Sequence, residues 1–435
     1  MFSSSSRTWS RIVLALGITA LGLSSLLLTS GTAVAYEGVQ GKYAIFYPAV
    51  ELLYFHTDNL FLTPDDTTSS DSFIARVPLR LEVPTDRHYF MIQWTPQFRD
   101  IDNFDLDDQW SHFVDLKGVF QGSPTFRFEV EDNFTRGVLE VEDVDRDGEL
   151  LLGLDPFYSN RLKLDFIWEA RRQGADLYLG WFKTEFDRKK PGDDDARPGF
   201  LDQDRVVAGI EYFYKFTPLS RFEVGYDYSD VESTYYDDIV TEPINDLCIG
   251  GQCLGKDSIS SKSSHLYVGF SGELGRTTTG EIRLGYRATD YDVDDASDYN
   301  SLVVAGTFTK AFTRFTKLEV NLHRQENLSN FENNAYYTAN RIGLALTNQP
   351  LGRRVFWSVA GGFQQNSYPD PVVVNNDDIH RKDDILMARA EIGYYPLTYL
   401  NVKLNYRYED RNANIPDGSF DYTENAFFFQ VGIGY

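Results

Sequence analysis

Cys248-Ile249-Gly250-Gly251-Gln252-Cys253 contains both cysteines of the chain, and its spacing prescribes a reaction. Flexible glycines between two nearby thiols allow a small ring to close by oxidation, and exported thiols meet an oxidising compartment. A Cys248–Cys253 disulfide is therefore predicted, with the role of stiffening a loop. A ring this short belongs at the lower end of disulfide stabilisation, about 2 kcal/mol or less. A two-cysteine metal site would need further ligands, and the closest histidine is His265.

Asp143-Val144-Asp145-Arg146-Asp147-Gly148 matches the opening of a calcium loop, with carboxylates at positions one, three and five and glycine at six. The twelfth position should be a bidentate acid, but it is Leu154, with Asp155 one place late. Arg146 also lowers the local negative charge. Structural calcium held by Asp143, Asp145 and Asp147 is one reading and a solvated acidic loop the other; Asp193-Asp194-Asp195 is a weaker case of the same kind. No other cofactor is implied. The histidines are His56, His88, His112, His265, His323 and His380, and none joins an Asp-His or His-x-Ser arrangement. The chain has no zinc-protease pair, phosphate-cradling glycine loop or nucleophile elbow. An enzyme is not expected.

The remaining charged residues fall into a pattern that only strands explain. Phe126, Phe128 and Val130 alternate with Arg127, Glu129 and Glu131. Leu162, Leu164, Phe166 and Trp168 alternate with Lys163, Asp165 and Ile167, and Phe222, Val224, Tyr226 and Tyr228 with Arg221, Glu223 and Asp227. The same period places Arg76 and Arg80, Glu281, Arg283 and Arg287, Lys317 and Glu319, and Lys403 and Arg407 opposite apolar faces. Successive strand side chains point to opposite faces, so one face is continuously apolar and the other watered and charged with both signs. Pro78 and Pro96 each remove a ladder donor, which predicts a bulge or irregular stretch at both.

The connections alternate too. Short turns fall near Pro84–Arg87, Gln121–Pro124, Arg171–Gly174, Lys215–Ser220, Gly275–Thr278, Ala311–Arg314, Asn348–Gly352 and Tyr395–Thr398, with longer acidic or Asn-rich stretches between them. Short turns on one side and long loops on the other predict an all-β fold: a transmembrane antiparallel β-barrel of about 18 strands, with short periplasmic turns and long extracellular loops. The apolar face would meet lipid, and the charged face, from Arg76 to Arg407, would line a lumen.

Both ends of the chain agree. Phe427, Phe429, Val431, Ile433 and Tyr435 share one face of a final strand, and Phe428, Gln430, Gly432 and Gly434 the other. Such an edge invites pairing with other chains unless a barrel closes on it. The strand is predicted to pair with the first, near Tyr47 to Thr57, and its terminal aromatic resembles the signal read by barrel assembly machinery. At the other end Arg7 and Arg11 precede a mostly apolar stretch, Ile12 to Leu28, and Ala33-Val34-Ala35 is a small-x-small cleavage pattern. Residues 1–35 read as a signal peptide and 36–435 as a single barrel domain. Beyond Ala35 no apolar run approaches the roughly 18 residues of a spanning helix. The 27 Tyr and 32 Phe suit aromatic girdles at two membrane interfaces. A formal charge of −24 disfavours nucleic-acid binding and suits cation attraction or a place among divalent-bridged lipopolysaccharide.

At the first hairpin the residues resemble a known family. Tyr54-Phe55-His56-Thr57-Asp58-Asn59-Leu60-Phe61-Leu62-Thr63-Pro64 resembles its "DN-aromatic-x-TP" signature, and Arg80-Leu81-Glu82-Val83-Pro84 with Arg87-His88 resembles the next strand and turn. The family is that of outer-membrane β-barrel porins, many of them exopolysaccharide biosynthesis operon proteins of the EpsL type. The likeness is best from Tyr47 to Asp187. It implies the outer membrane of a Gram-negative bacterium, lipid and lipopolysaccharide as surroundings, and polysaccharide export machinery as a partner. Passive diffusion of hydrophilic solutes and assistance to exopolysaccharide export are the expected functions. The alternative is a structural or binding barrel whose acidic loops engage lipopolysaccharide, cations or an export partner. The resemblance supplies no catalytic residues.

Overall fold

The computed structural model describes residues 38–60, 62–64, 67–102, 109–138, 156–186, 202–233, 248–249, 252–253, 260–292, 297–329, 334–349, 354–374, 377–416 and 420–434. Residues 1–35, Asp143, Asp145, Asp147, Asp193 to Asp195 and Tyr435 lie outside this set.

Eighteen strands run antiparallel around a closed barrel. They are β1 (Ile45–Thr57), β2 (Ser70–Arg76 continued by Leu79–Pro84), β3 (His88–Ile101), β4 (Trp110–Ser123), β5 (Phe126–Val138) and β6 (Pro156–Glu169). Next come β7 (Gln173–Phe186), β8 (Gln203–Thr217), β9 (Ser220–Ser233), β10 (Ser261–Gly275), β11 (Thr278–Tyr291) and β12 (Tyr299–Ala311). The last are β13 (Thr316–Leu328), β14 (Tyr336–Asn348), β15 (Val355–Ser367), β16 (Lys382–Leu397), β17 (Leu400–Ala413) and β18 (Tyr422–Gly434). Each strand pairs with its neighbours in sequence, and β18 returns to β1 from Ala49↔Gly434 to Thr57↔Ala426. Closure removes the free edges that hydrocarbon would not tolerate, because an unpaired backbone group there costs several kcal/mol. Among the described residues no helix is long and apolar enough to cross a membrane; the strands do that.

Seven of the eight short turns lie where the alternation places them, and the eighth, Asn348–Gly352, runs into residues outside the described set; register shifts sit beside four of the seven, at Gln121/Ser123, Lys215/Thr217, Glu273/Gly275 and Tyr394/Leu397. The proline expectation needs correction at one of its two positions. The regular strand of β2 is interrupted at Val77–Pro78, but β3 runs unbroken through Pro96, opposite His112. Neither proline shifts the register. The reason is that a proline carbonyl still accepts: Ala49 N–H donates to Pro78 O at 2.9 Å and Val77 N–H to Pro96 O at 3.0 Å. Only the donor half of each ladder step is lost.

Side-chain exposure assigns the two faces. On β9, Phe222 is 56% exposed and Val224 50%, whereas Glu223 between them is 2% exposed. A closed barrel leaves large apolar side chains bare only where lipid covers them. Exposed aromatics gather at both margins of this belt: Phe90, Phe120, Phe126, Trp168, Phe216 and Phe222 toward the short turns, Tyr54, Trp110, Trp181 and Tyr228 toward the long loops. These are the two girdles expected at the interfaces.

The "DN" of the signature is the clasp of this closure. Asp58 Oδ1 accepts from Asn425 N–H at 2.7 Å and its Oδ2 from Asn425 Nδ2 at 2.8 Å. Asn59 Nδ2 donates to Thr63 O at 2.8 Å and to Thr423 O at 3.1 Å, while Asn59 Oδ1 accepts from Thr63 N–H at 3.0 Å. Leu62, inside this turn, has φ +50°. Residues that mark a turn in the sequence thus tie the first strand to the last.

Candidate functional site

The lumen wall is built from the inward half of each alternation. Lys163 Nζ lies 2.9 Å from Asp165 Oδ1, and Arg80–Glu82, Arg127–Glu129 and Lys117–Glu131 are ion pairs along the same wall. Further round, Arg283 Nε donates to Glu223 Oε1 at 2.6 Å and its Nη2 reaches Glu211 Oε2 at 3.3 Å and Glu281 Oε1 at 3.5 Å. Arg221 adds contacts to Glu223 at 3.3 Å and Glu211 at 3.6 Å, and Tyr267 O–H donates to Glu211 Oε2 at 2.9 Å. Arg76 donates to Gln97, Arg287 lies 4.0 Å from Glu326 and Arg407 lies 3.1 Å from Glu424. Glu319 accepts from Asn321 Nδ2 at 2.9 Å. Lys317 pairs across the ladder with Ala311 and Thr347, and Lys403 with Gly393 and Gln430.

These side chains lie along the wall, and the register shows why there is room. Gly225 and Gly269 stand beside the ion-paired cluster. A Cβ on Gly225 would come 2.2 Å from the Tyr267 ring, and one on Gly269 would come 2.6 Å from Glu223 Cγ. Neighbouring strands therefore give up a side chain exactly where the ring and the carboxylate must lie flat, so the polar groups pair laterally. Elsewhere the wall holds concave recesses. One of about 630 Å³ lies between β1 and β5, beside Arg76, Arg80 and Asp115. Another of about 670 Å³ lies over β12 to β17.

Sequence reasoning missed the charged residues of the extracellular mouth. Asp383 is fully buried between two arginines: Arg381 donates to it from Nε at 2.9 Å and Nη2 at 2.8 Å, and Arg411 donates from Nε at 3.1 Å. The Arg381 guanidinium lies 3.6 Å over the Phe420 ring and 4.5 Å over the Tyr368 ring. Nearby, Asp370 accepts from Ser297 Oγ at 2.7 Å and its N–H donates to Asn334 Oδ1 at 2.9 Å, joining three segments that are far apart in sequence. Asp383 and Arg411 follow the strand period and could have been found by it. Arg381 and Asp370 lie outside the strands and carry no periodic signal.

The backbone places Cys248 directly opposite Cys253 in a short antiparallel ladder. The candidate calcium residues Asp143, Asp145 and Asp147 lie outside the described residues. Among the described residues no group of three or more His, Cys, Asp or Glu side chains is arranged to hold a metal ion.

A closed 18-stranded barrel with a lipid-facing apolar belt and a charged interior has the architecture of an outer-membrane β-barrel. Residues 254–434 match the family model described as "Putative beta-barrel porin 2". The match covers the later strands, whereas the resemblance seen in the sequence is best over the earlier ones. No curated protein sequence matches the chain. Among solved structures, OpdQ of Pseudomonas aeruginosa is 12% identical, with 91% of this chain and 100% of that one covered and a TM-score of 0.49. The outer membrane protein OpdK of Pseudomonas aeruginosa is also 12% identical, over 90% and 99%, with a TM-score of 0.46. The FrpB iron transporter of Neisseria meningitidis is 10% identical, over 89% and 65%, with a TM-score of 0.49.

Proposed function

We propose that the barrel is a passive channel for hydrophilic solutes, with saccharides or a secreted polysaccharide as its cargo. The observation that supports this reading is the lateral pairing of the lumen charges over Gly225 and Gly269, which keeps polar side chains against the wall. A barrel of this strand number is wide enough to leave an aqueous passage when its interior side chains do not meet across it. Mixed charge along the wall suits hydrated cargo and offers no energy source, so transport runs down a gradient. Barrel assembly machinery and polysaccharide export machinery are the partners this reading calls for.

The purified protein should conduct ions in planar bilayers, and graded neutral sugars should reduce that conductance up to a size cut-off. A barrel that inserts but never conducts would overturn the channel reading. It would favour the second reading, a barrel whose extracellular loops engage lipopolysaccharide, cations or an export partner. The joining of Ser297, Asn334 and Asp370 into one extracellular patch supports that alternative.

The Cys248–Cys253 disulfide belongs to the same proposal, as a stiffener of an extracellular loop. Directly opposed residues in an antiparallel ladder have Cα atoms about 4.5–5.5 Å apart, which a disulfide can span. Intact mass should rise by about 2 Da on reduction, and two alkylations should appear only after it; alkylation without reductant would refute the bond.

A further inference from the structure

We infer that the recess over β12 to β17 is a binding niche for the carboxylate of an acidic sugar, an inference that rests on the channel reading above and narrows its cargo. The floor of the recess is made of four small residues in two adjacent strands, Gly343 and Ala345 of β14 and Ala360 and Gly362 of β15. They meet as Gly343↔Gly362 and Ala345↔Ala360, so the wall is thin over a contiguous patch. The resulting volume of about 670 Å³ lies in the range of small-molecule sites.

Cations stand on both sides of this floor. Arg341 is on one side, with His323 as its register partner. Arg389 and Arg407 are on the other, directly opposite one another on β16 and β17. Like charges placed directly opposite are unfavourable. Arg407 is compensated by Glu424 at 3.1 Å. Arg389 is not held in that way: its side chain is 59% exposed, and its contact to Glu391 is 3.7 Å, longer than a hydrogen bond. Its guanidinium is therefore presented to the lumen with donors to spare for a planar, bidentate acceptor.

Of the anions around the recess, Glu391 lies beside Arg389 itself, and the others are engaged elsewhere. Glu409 is buried and accepts the Tyr422 O–H at 2.5 Å, and Glu319 accepts from Asn321. In a chain of net charge −24, a recess whose lining carries three arginines and one glutamate runs against the overall sign. Among the described residues no Phe, Tyr or Trp side chain lines it, so the broad stacking platform that would favour a neutral sugar is missing and the charge must supply selectivity. A hexuronate carries both features the niche requires: one carboxylate for Arg389 and hydroxyls small enough to lie over glycine and alanine.

The test is single-channel recording in the presence of glucuronate and of glucose, for the wild type, Arg389→Gln and Arg389→Lys. Glucuronate should interrupt the wild-type current at concentrations where glucose does not. Arg389→Gln should weaken that block roughly tenfold, the effect of losing one charge-assisted contact, and Arg389→Lys should recover part of it. Equal block by the two sugars, or an Arg389→Gln channel blocked as well as the wild type, would overturn the niche while leaving the channel reading intact. If no variant conducts, the channel reading fails instead, and calorimetric titration of glucuronate into the purified barrel decides the niche. Binding that Arg389→Gln loses supports it, and no binding to the wild type refutes it.

Discussion

Deleting Phe427 to Tyr435 is expected to abolish the folded barrel rather than to change its conductance. The strand it removes is paired on both sides, with β1 from Ala49↔Gly434 to Thr57↔Ala426 and with β17 from Leu400↔Ile433 to Arg411↔Tyr422. Without it, two edges would present unpaired N–H and C=O groups at the depth of the hydrocarbon, at several kcal/mol for each group. Lateral pairing elsewhere cannot compensate, because every other strand already has two neighbours. In unheated gels the compact band of a folded barrel should be absent for the truncated chain, and the outer-membrane fraction should lack it. Normal insertion would mean the barrel does not close through β18. Asn59→Ala provides the graded version. It removes the hydrogen bonds to Thr63 and Thr423 at the clasp, a loss of about 1–3 kcal/mol, and should lower the temperature at which the compact band unfolds without preventing assembly.

Asp383→Ala should be the most damaging single substitution at the extracellular mouth. Asp383 is the shared acceptor of Arg381 and Arg411, whose side chains are 2% and 8% exposed. Truncating it leaves two buried guanidinium groups facing each other with no anion between them, and breaking a buried ion pair in this way costs about 3–5 kcal/mol. The loss is local, because the strand ladders on either side of β16 are intact. The barrel should still form. What should give way is the packing of Arg381 against Tyr368 and Phe420, which holds the segments after β15 and before β18 against the mouth. Limited proteolysis of intact cells should then cut between Tyr368 and Arg381 in Asp383→Ala, and not in the wild type. Asp383→Asn keeps an acceptor but no charge, and should lie between the two. A protease-resistant Asp383→Ala would show that the triad does not hold the mouth together.

Much of this protein was legible in its sequence for one physical reason. A strand that separates lipid from water must alternate at every step, so Phe222, Val224, Tyr226 and Tyr228 against Arg221, Glu223 and Asp227 already state which face is which. The strand number, the short turns and the pairing of the last strand with the first follow from the same constraint repeated around the wall. The charged candidates from Arg76 to Arg407 were chosen by that period as well. The period also contains the partners that were overlooked: Glu211 alternates with Ile210 and Tyr212, and Arg389 with Ala388 and Ala390.

What the period cannot carry is lateral register. That Glu223 meets Arg283, more than one strand away, depends on how strands stagger around the barrel, and the glycines that make room for it read in sequence only as gaps in the alternation. The same holds for Gly343, Ala345, Ala360 and Gly362. Each is an unremarkable small residue on its own strand, and only their juxtaposition makes a recess that arginines can surround. The clasp at Asp58 and Asn59, and the burial of Asp383 between Arg381 and Arg411, likewise join residues far apart in the chain or outside any strand. Alternation fixed each side chain's face, because lipid and water act on every residue locally. The choice of partner belonged to the tertiary structure, because it depends on closure of the whole ring.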